Sequence, residues 1–207
     1  MMSASDQELE VKFYLSQPQA LVERLERTGA SLARPRMYEA NLRFDTADGA
    51  LASSFQVLRL RLDDAARVTY KGPGSLSGGA RLRRELEFTV SDFDTARALF
   101  EALGYQVVVM YEKYRMEYHL GDVLVTVDEM PYGFFTEIEG PDGETIQAAA
   151  RQLGLDWKAR IIDSYLMLFD HLKTTLELEF RDLSFENFKG LPVSAAQLGV
   201  ISADQGG

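Results

Sequence analysis

The 207 residues suffice for one sizeable domain, or one domain with an appendage, and an apolar fraction of 46% can supply its core. The formal net charge of -10 disfavours nucleic acid and anionic membranes as partners, because like charges repel. The absence of cysteine excludes disulfides, thiolate metal sites and Cys nucleophiles, and two histidines are too few for a multi-histidine zinc site. Since the N-terminus lacks the pattern of a signal peptide and no apolar run could cross a membrane, we expect a cytoplasmic protein.

Alternating and helical segments follow one another along the chain. Alternation predicts strands at about 8–15, 37–45, 56–62, 67–71, 81–90, 106–118, 122–129 and 134–140. Helical spacing and capping residues predict helices at about 18–29, 92–103, 143–153 and 159–172. Glycine-rich residues 72–79 are expected to form a loop, and residues 174–180 could form a further strand. Short strands in hairpin order with a few helices indicate an α+β fold built on an antiparallel sheet.

The polar face of nearly every predicted strand carries only ionisable residues, whereas the opposite face is apolar. These ionisable residues are Glu8, Glu10, Lys12, Arg59, Arg61, Lys71, Arg83, Glu85, Glu87, Lys113, Arg115, Asp128, Glu137 and Glu139. A closed barrel satisfies both faces if the apolar side packs under the helices and the charges point inward. A dry interior of this kind would be costly to desolvate, so we expect a wet lumen that receives a metal ion and an anion.

A single Glu-x-Glu pair is weak evidence, because a strand with two glutamates on its solvent face is common. Glu177-Leu178-Glu179 repeats the pattern without a basic residue at the next even step, and we interpret it as an exposed strand face. Tyr111, Tyr114 and Tyr118 are expected in the barrel wall. Trp157 is expected in packing, and His119 and His171 at the surface. The prediction of a site therefore rests on the joint pattern across several strands.

The motif Glu8-x-Glu10-x-Lys12, followed in order by the other charged strands, resembles the CYTH family, the triphosphate tunnel metalloenzymes. The resemblance covers about residues 6–170, with supporting matches at Phe44-Asp45-Thr46, Tyr70-Lys71-Gly72-Pro73 and Ser164-Tyr165. This family includes class IV adenylyl cyclases, thiamine triphosphatases and inorganic tripolyphosphatases. The resemblance implies an eight-stranded tunnel that binds a triphosphate lengthwise, and family members are often homodimers. Residues 1–173 would form the tunnel domain, and 174–207 a partly disordered C-terminal extension.

The resemblance also implies a role for each charged residue. Metal ligands would be Glu8, Glu10, Asp128, Glu137 and Glu139, with Mg²⁺ or Mn²⁺ as the ion. Phosphate oxygens would be bound by Lys12, Arg59, Arg61, Lys71, Arg83, Lys113 and Arg115. Lys12, Lys71 and Glu85 are expected to be catalytic. Glu85 and Glu87 would orient the basic residues or help to bind a second metal.

Three functions remain open at this point. The first is a metal-dependent triphosphatase acting on tripolyphosphate, thiamine triphosphate or ATP, which a charged tunnel without an obvious base-reading module favours. The second is a class IV adenylyl cyclase that converts ATP to cyclic AMP and pyrophosphate with the same charged residues. The third is a non-catalytic polyphosphate-binding module.

Overall fold

The computed structural model describes residues 7–205, in which eight antiparallel strands close into a barrel. The strands are β1 (Gln7–Leu15), β2 (Ser31–Asp45), β3 (Val57–Leu62), β4 (Ala66–Ser77), β5 (Ala80–Val90), β6 (Gln106–Leu120), β7 (Val123–Met130) and β8 (Gly133–Glu139). The helices are α1 (Pro18–Arg27), α2 (Ala50–Ser53), α3 (Phe93–Ala102), α4 (Gly143–Gln152) and α5 (Tyr165–Leu176). Around the barrel the strands follow the order β1-β5-β4-β3-β2-β6-β7-β8. The α+β prediction of a closed eight-stranded barrel flanked by helices is confirmed.

The alternation of β1 determines which of its faces is covered. Leu9, Val11 and Phe13 are buried in a core shared with α1 and α4. Glu8, Glu10 and Lys12 take the intervening positions and line the inside of the barrel. Successive side chains of a strand point to opposite faces, so one sequence pattern supplies both the outer core and the inner wall.

Two further apolar clusters complete the outer layer. Phe44 and Leu60 pack against Ala96 of α3. In a separate cluster, Phe135 of β8 packs with Phe169 of α5 and with the C-terminal segment. Within residues 7–205 no helix combines the length and apolar character that a membrane crossing would need.

Two local predictions are wrong. Residues 72–77 are not a loop: β4 continues through them to Ser77 and pairs with β5, with a register shift between Lys71 and Gly74, and only Gly78 and Gly79 form the connecting turn. An irregular pairing of this kind accommodates Gly and Pro, which are unfavourable in a regular hydrogen-bonded ladder. Residues 174–180 are not a strand, because α5 continues to Leu176 and ends at Glu177, whose φ is +52°.

The described part of the C-terminal segment, 177–205, packs against the barrel with little regular structure. The Leu183 amide donates to Met110 O (2.9 Å), and the Glu112 amide donates to Leu183 O (3.0 Å). The segment therefore pairs with the first half of β6, on the N-terminal side of the residues that pair with β7. Leu183, Phe188 and Leu198 are buried. The division into a domain at 1–173 and an extension at 174–207 stays a prediction, and its residues 1–6 and 206–207 lie outside the described range.

Phe188→Ala tests whether the C-terminal segment belongs to the folded body. Phe188 is 5% exposed and contacts the rings of Tyr132, Phe169 and Phe180, so the cavity left behind should cost about 3–5 kcal/mol of unfolding free energy. The matched control is Phe88→Ala on the outside of β5, where the ring is 59% exposed and the cost should be small. Urea denaturation measures both. Equal small losses would contradict the packing described here.

Candidate active site

The barrel encloses a cavity of about 800 Å³. All the sequence-predicted site residues line this cavity except Asp128, which is fully buried beside it: Glu8, Glu10, Lys12, Arg59, Arg61, Lys71, Arg83, Glu85, Glu87, Lys113, Arg115, Glu137 and Glu139. They come from six of the eight strands, and closure of the barrel turns them toward one shared interior. The cavity is therefore a tunnel lined mainly by charges.

Three glutamates form a carboxylate cluster, which we define as Glu8, Glu10 and Glu139. Glu10 of β1 is the register partner of Glu139 of β8, and Glu8 lies two residues before Glu10 on the same face. Burial raises the pKa of Glu8, and burial and the charge of Glu137 raise the pKa of Glu10. Desolvation and the charges of Glu8 and Glu10 raise the pKa of Glu139 to about 7. These carboxylates thus repel one another strongly.

The chemistry of the carboxylate cluster fits a divalent cation. Glu10 and Glu139 form no ion pair within residues 7–205, and Lys71 Nζ (2.6 Å from Glu8 Oε2) is shared with Glu85 at 3.0 Å. No three acidic or histidine side chains in the described range are already close enough together to hold a metal. Carboxylate oxygens are the ligands that Mg²⁺ and Mn²⁺ prefer, and such an ion would offset the repulsion among these three carboxylates.

Glu87 and Thr69 hold two of the predicted phosphate-binding arginines. Arg59 Nη2 donates to Thr69 Oγ1 (2.9 Å) and to Glu87 Oε2 (3.3 Å), while Arg61 Nη2 donates to Glu87 Oε1 (3.0 Å). Despite its partial burial, Glu87 has a pKa lowered by Arg61 and Arg59. The structure thus places Glu87 where it can orient these basic residues.

Arg43 of β2 and Arg83 of β5 are cations with acidic neighbours but no close counter-charge: Asp45 acts on Arg43 at longer range, and Glu8 is the register partner of Arg83. Within the described residues neither forms an ion pair, and the Nε atoms of both are buried without a hydrogen-bond partner. Burial and the positive charges of Arg59 and Arg83 lower the pKa of Arg43. Unpaired guanidinium groups that repel one another favour an anion between them.

Sequence reasoning missed Arg43, although a signal was present. Glu39, Asn41, Arg43 and Asp45 alternate with apolar residues along β2, as the charged residues of the other strands do. Glu39 is 2% exposed and lies 3.6 Å from Lys113 and 3.9 Å from Arg61, which lower its pKa to about 2 despite burial. Extending the alternation rule to β2 would have found both residues.

Asp128 and Glu137 differ from the carboxylate cluster because their oxygens already form ion pairs with basic residues. Asp128 accepts hydrogen bonds from Arg115 Nε (2.6 Å), Lys113 Nζ (3.3 Å) and the Tyr165 hydroxyl (2.7 Å). Glu137 lies 3.0 Å from Lys12 Nζ and 2.5 Å from Arg115 Nη2, which hold its pKa well below the usual range despite burial. In this structure both carboxylates orient cations, and their role as metal ligands stays a prediction.

Aromatic residues also shape the tunnel. The Tyr165 ring lies 4.3 Å from Lys12 Nζ, a cation–π contact that sequence analysis did not foresee. Tyr111 faces the cavity, where its hydroxyl accepts a long hydrogen bond from Arg59 (3.5 Å), so it is more than barrel wall. Trp157 packs against Phe13, as expected from sequence. The surface positions predicted for His119 and His171 are also confirmed.

A closed barrel with carboxylates and cations on its inner wall is the arrangement that the sequence analysis predicted for a triphosphate tunnel. The CYTH domain family model matches residues 6–165, and the chain belongs to the CYTH family. Members of this family are enzymes, either adenylyl cyclases or triphosphatases, and depend on a divalent metal.

Similar proteins agree with this assignment. Over 134 residues the chain is 28% identical to a Methanocaldococcus jannaschii protein named as a candidate adenylate cyclase, covering 64% of this chain and 75% of the relative. A Vibrio parahaemolyticus protein named in the same way shares the fold, with a TM-score of 0.73, 21% identity and coverage of 80% and 98% of the two chains. A candidate adenylyl cyclase from Hippeastrum, described as having a dominant triphosphatase activity, shares it with a TM-score of 0.60, 20% identity and coverage of 79% and 95%.

Glu10→Gln tests the repulsion within the carboxylate cluster. The metal-free variant should melt at the same temperature as the wild type or higher, because one of the repelling charges is gone. Mn²⁺ should raise the melting temperature of the wild type and have much less effect on the variant. Glu179→Gln, in the Glu-x-Glu pair outside the barrel, is the control and should respond to Mn²⁺ like the wild type. An unchanged Mn²⁺ response in Glu10→Gln would contradict the cation site.

Asp128→Ala should lower the stability of the protein, whereas Glu10→Gln should not. Its loss leaves Arg115 and Lys113 without their shared buried partner, which should cost about 3–5 kcal/mol of unfolding free energy. Urea denaturation measures the unfolding free energy of this variant and of Glu139→Gln. The second variant is the comparison because it removes a repulsion between carboxylates and no ion pair. Equal stability of the two variants would contradict the charge arrangement.

Proposed function

We propose that the protein is a divalent-metal-dependent triphosphatase, which hydrolyses a phosphoanhydride bond of tripolyphosphate or an organic triphosphate held along the tunnel. The observation that carries this proposal is that the tunnel holds both carboxylates and guanidinium groups that form no ion pair within the described residues. Glu10 and Glu139 form none, and neither do Arg43 and Arg83, although Arg83 is the register partner of Glu8. A triphosphate with a bound divalent metal carries both complementary charges in one molecule.

The predicted ligands fall into two groups by their surroundings. Glu8, Glu10 and Glu139 would hold the metal, with Glu137 and Asp128 as further ligands if their basic partners move to phosphate. When bound, Mg²⁺ or Mn²⁺ supplies charge neutralisation and lowers the pKa of a coordinated water. The phosphate oxygens would be bound by Arg43 and by the predicted set Lys12, Arg59, Arg61, Lys71, Arg83, Lys113 and Arg115.

Lys71 would contact both the metal-side carboxylates and the phosphate chain. Its Nζ lies 2.6 Å from Glu8 and 3.0 Å from Glu85. Despite burial, Glu8, Glu10 and Glu85 raise its pKa, so it stays an ammonium that can stabilise charge on the leaving phosphate. Glu85 would act by keeping Lys71 charged and in place.

Lys12 would contact the phosphate that is attacked. Lys12 is positioned by Glu137 and by the Tyr165 ring, which together hold its ammonium inside the tunnel. Because these charges are already fixed by the barrel, little reorganisation would be needed during the reaction.

An adenylyl cyclase is the second candidate, favoured by the name of the Methanocaldococcus jannaschii relative. In that reaction the ribose 3′-hydroxyl attacks the α-phosphorus of ATP and pyrophosphate leaves. The same charged wall would serve both reactions, and they differ in which oxygen attacks.

Product analysis separates the two reactions. Purified protein with Mg²⁺ or Mn²⁺ should release orthophosphate from tripolyphosphate or from ATP without forming cyclic AMP. Glu10→Gln should lower this rate by about 100-fold or more, because the metal loses a ligand and charge stabilisation is lost. Glu179→Gln should keep the wild-type rate.

Cyclic AMP formed without orthophosphate would contradict the triphosphatase and support the cyclase. Phosphate binding without turnover of any triphosphate would contradict both and leave a polyphosphate-binding module.

A further inference from the structure

We propose that Tyr111 is a further substrate-binding residue, whose hydroxyl donates a hydrogen bond to a phosphate oxygen held by Arg43 and Arg59. This inference rests on the proposed function, because it assumes that a polyphosphate lies in the tunnel. It adds a neutral donor to a set of phosphate ligands that the charge pattern of the sequence restricted to Lys and Arg.

The ring of Tyr111 and its hydroxyl have different surroundings. Tyr111 lies two residues before Lys113 on the inner face of β6, lines the tunnel and is 7% exposed. Its ring belongs to the buried apolar cluster that contains Tyr132 and Phe135, whereas its hydroxyl reaches Arg59 Nη1 at 3.5 Å. A phenylalanine ring would fill the same apolar space, so packing alone does not account for the hydroxyl.

The hydroxyl proton of Tyr111 is not used within the protein. Among residues 7–205 its one hydrogen bond is the long one that it accepts from Arg59. A buried hydroxyl usually donates as well, because a donor that finds no acceptor costs free energy. The proton of Tyr111 is therefore available to an acceptor that enters the tunnel.

Positive charge surrounds this hydroxyl. Burial would raise the pKa of Tyr111, but the charges of Arg59 of β3, Lys113 of β6 and Arg43 of β2 lower it. Hydrogen bonds to ionised acceptors are shorter and stronger than those between neutral groups. The surroundings of the hydroxyl thus favour an anionic acceptor, such as a phosphate oxygen, over a neutral one.

Asn41 of β2 gives an independent indication that this part of the wall suits a polar occupant. Asn41 is the register partner of Tyr111, and directly opposite residues of an antiparallel pair point to the same face. It is fully buried, yet neither its Nδ2 nor its Oδ1 has a hydrogen-bond partner within the described residues. Two adjacent neutral groups with unused hydrogen-bonding capacity are more than packing requires.

Tyr111 lies away from the carboxylate cluster. That cluster is on the adjacent strands β1 and β8, whereas Arg59, Arg43 and Tyr111 are on β3, β2 and β6, which follow one another around the barrel. Tyr111 would therefore contact a phosphate that the cations bind, on strands other than those of the metal-side carboxylates. We expect its contribution to binding to persist without metal.

Tyr111→Phe is the test variant, because it keeps the ring in its apolar cluster and removes only the hydroxyl. Calorimetry with tripolyphosphate in EDTA should show an affinity lower by about tenfold or more, as expected for the loss of a hydrogen bond to a charged acceptor. In assays with Mg²⁺, KM should rise by a similar factor for tripolyphosphate and for ATP, with little change in kcat, since both substrates present phosphate.

Tyr114→Phe is the matched control. It makes the same change on the outer face of β6, where the Tyr114 ring contacts Tyr38, and it should behave like the wild type.

A spectroscopic titration separates contact with phosphate from a structural role of the hydroxyl. The absorbance of ionised tyrosine should show one phenol in the wild type that ionises below the ordinary pKa and that Tyr111→Phe lacks. Tripolyphosphate should raise the pKa of this phenol, because a nearby anion favours the protonated, donating form. A hydroxyl with a structural role alone would keep its pKa when tripolyphosphate is added.

Equal tripolyphosphate affinities of the wild type and Tyr111→Phe, or equal losses in Tyr111→Phe and Tyr114→Phe, would overturn the hydroxyl contact and leave the proposed function intact. Absence of turnover of every triphosphate by the wild type would overturn the proposed function instead, and binding in EDTA would then decide the contact by itself. A wild type that binds no tripolyphosphate with or without metal would overturn both.

Discussion

The structure depends on one electrostatic constraint: a closed barrel that turns its charged faces inward must compensate those charges. An uncompensated buried charge is expensive, and its removal from water is offset only by close partners. The barrel meets this requirement through ion pairs such as Asp128 with Arg115, Glu137 with Lys12 and Glu87 with Arg61. With the charges inside, the apolar strand faces point outward, which is why helices and the C-terminal segment cover the barrel.

Where the protein leaves charges uncompensated, it departs from what stability alone would favour. The carboxylate cluster and the pair Arg43 and Arg83 both raise the energy of the folded protein, and no internal contact among the described residues offsets them fully. Departures of this kind are expected at functional sites. A bound metal and a polyphosphate would supply complementary charges, so the same groups that destabilise the fold would provide binding energy.

The barrel and most of its inner wall could be predicted from sequence because alternation with period two is a local property. Arg43 escaped detection because β2 mixes charged and amide residues, and the pairing of Asp128 with Tyr165 escaped because it depends on how α5 packs. The loop predicted at 72–79 was wrong because partner strands can accommodate Gly and Pro at an irregular pairing. The cytoplasmic location, the homodimer and the choice between Mg²⁺ and Mn²⁺ stay predictions, since they depend on more than this chain's local pattern.

The central claim is that the carboxylates and the unpaired arginines of the tunnel bind the metal and the phosphates of one metal–triphosphate complex. Crystals grown with Mn²⁺ and a non-hydrolysable imido analogue of ATP would test it directly through the anomalous signal of manganese. The account predicts a manganese peak beside Glu8, Glu10 and Glu139, with phosphate density against Arg43 and Arg83. Manganese bound elsewhere, or phosphates lying outside the tunnel, would contradict it.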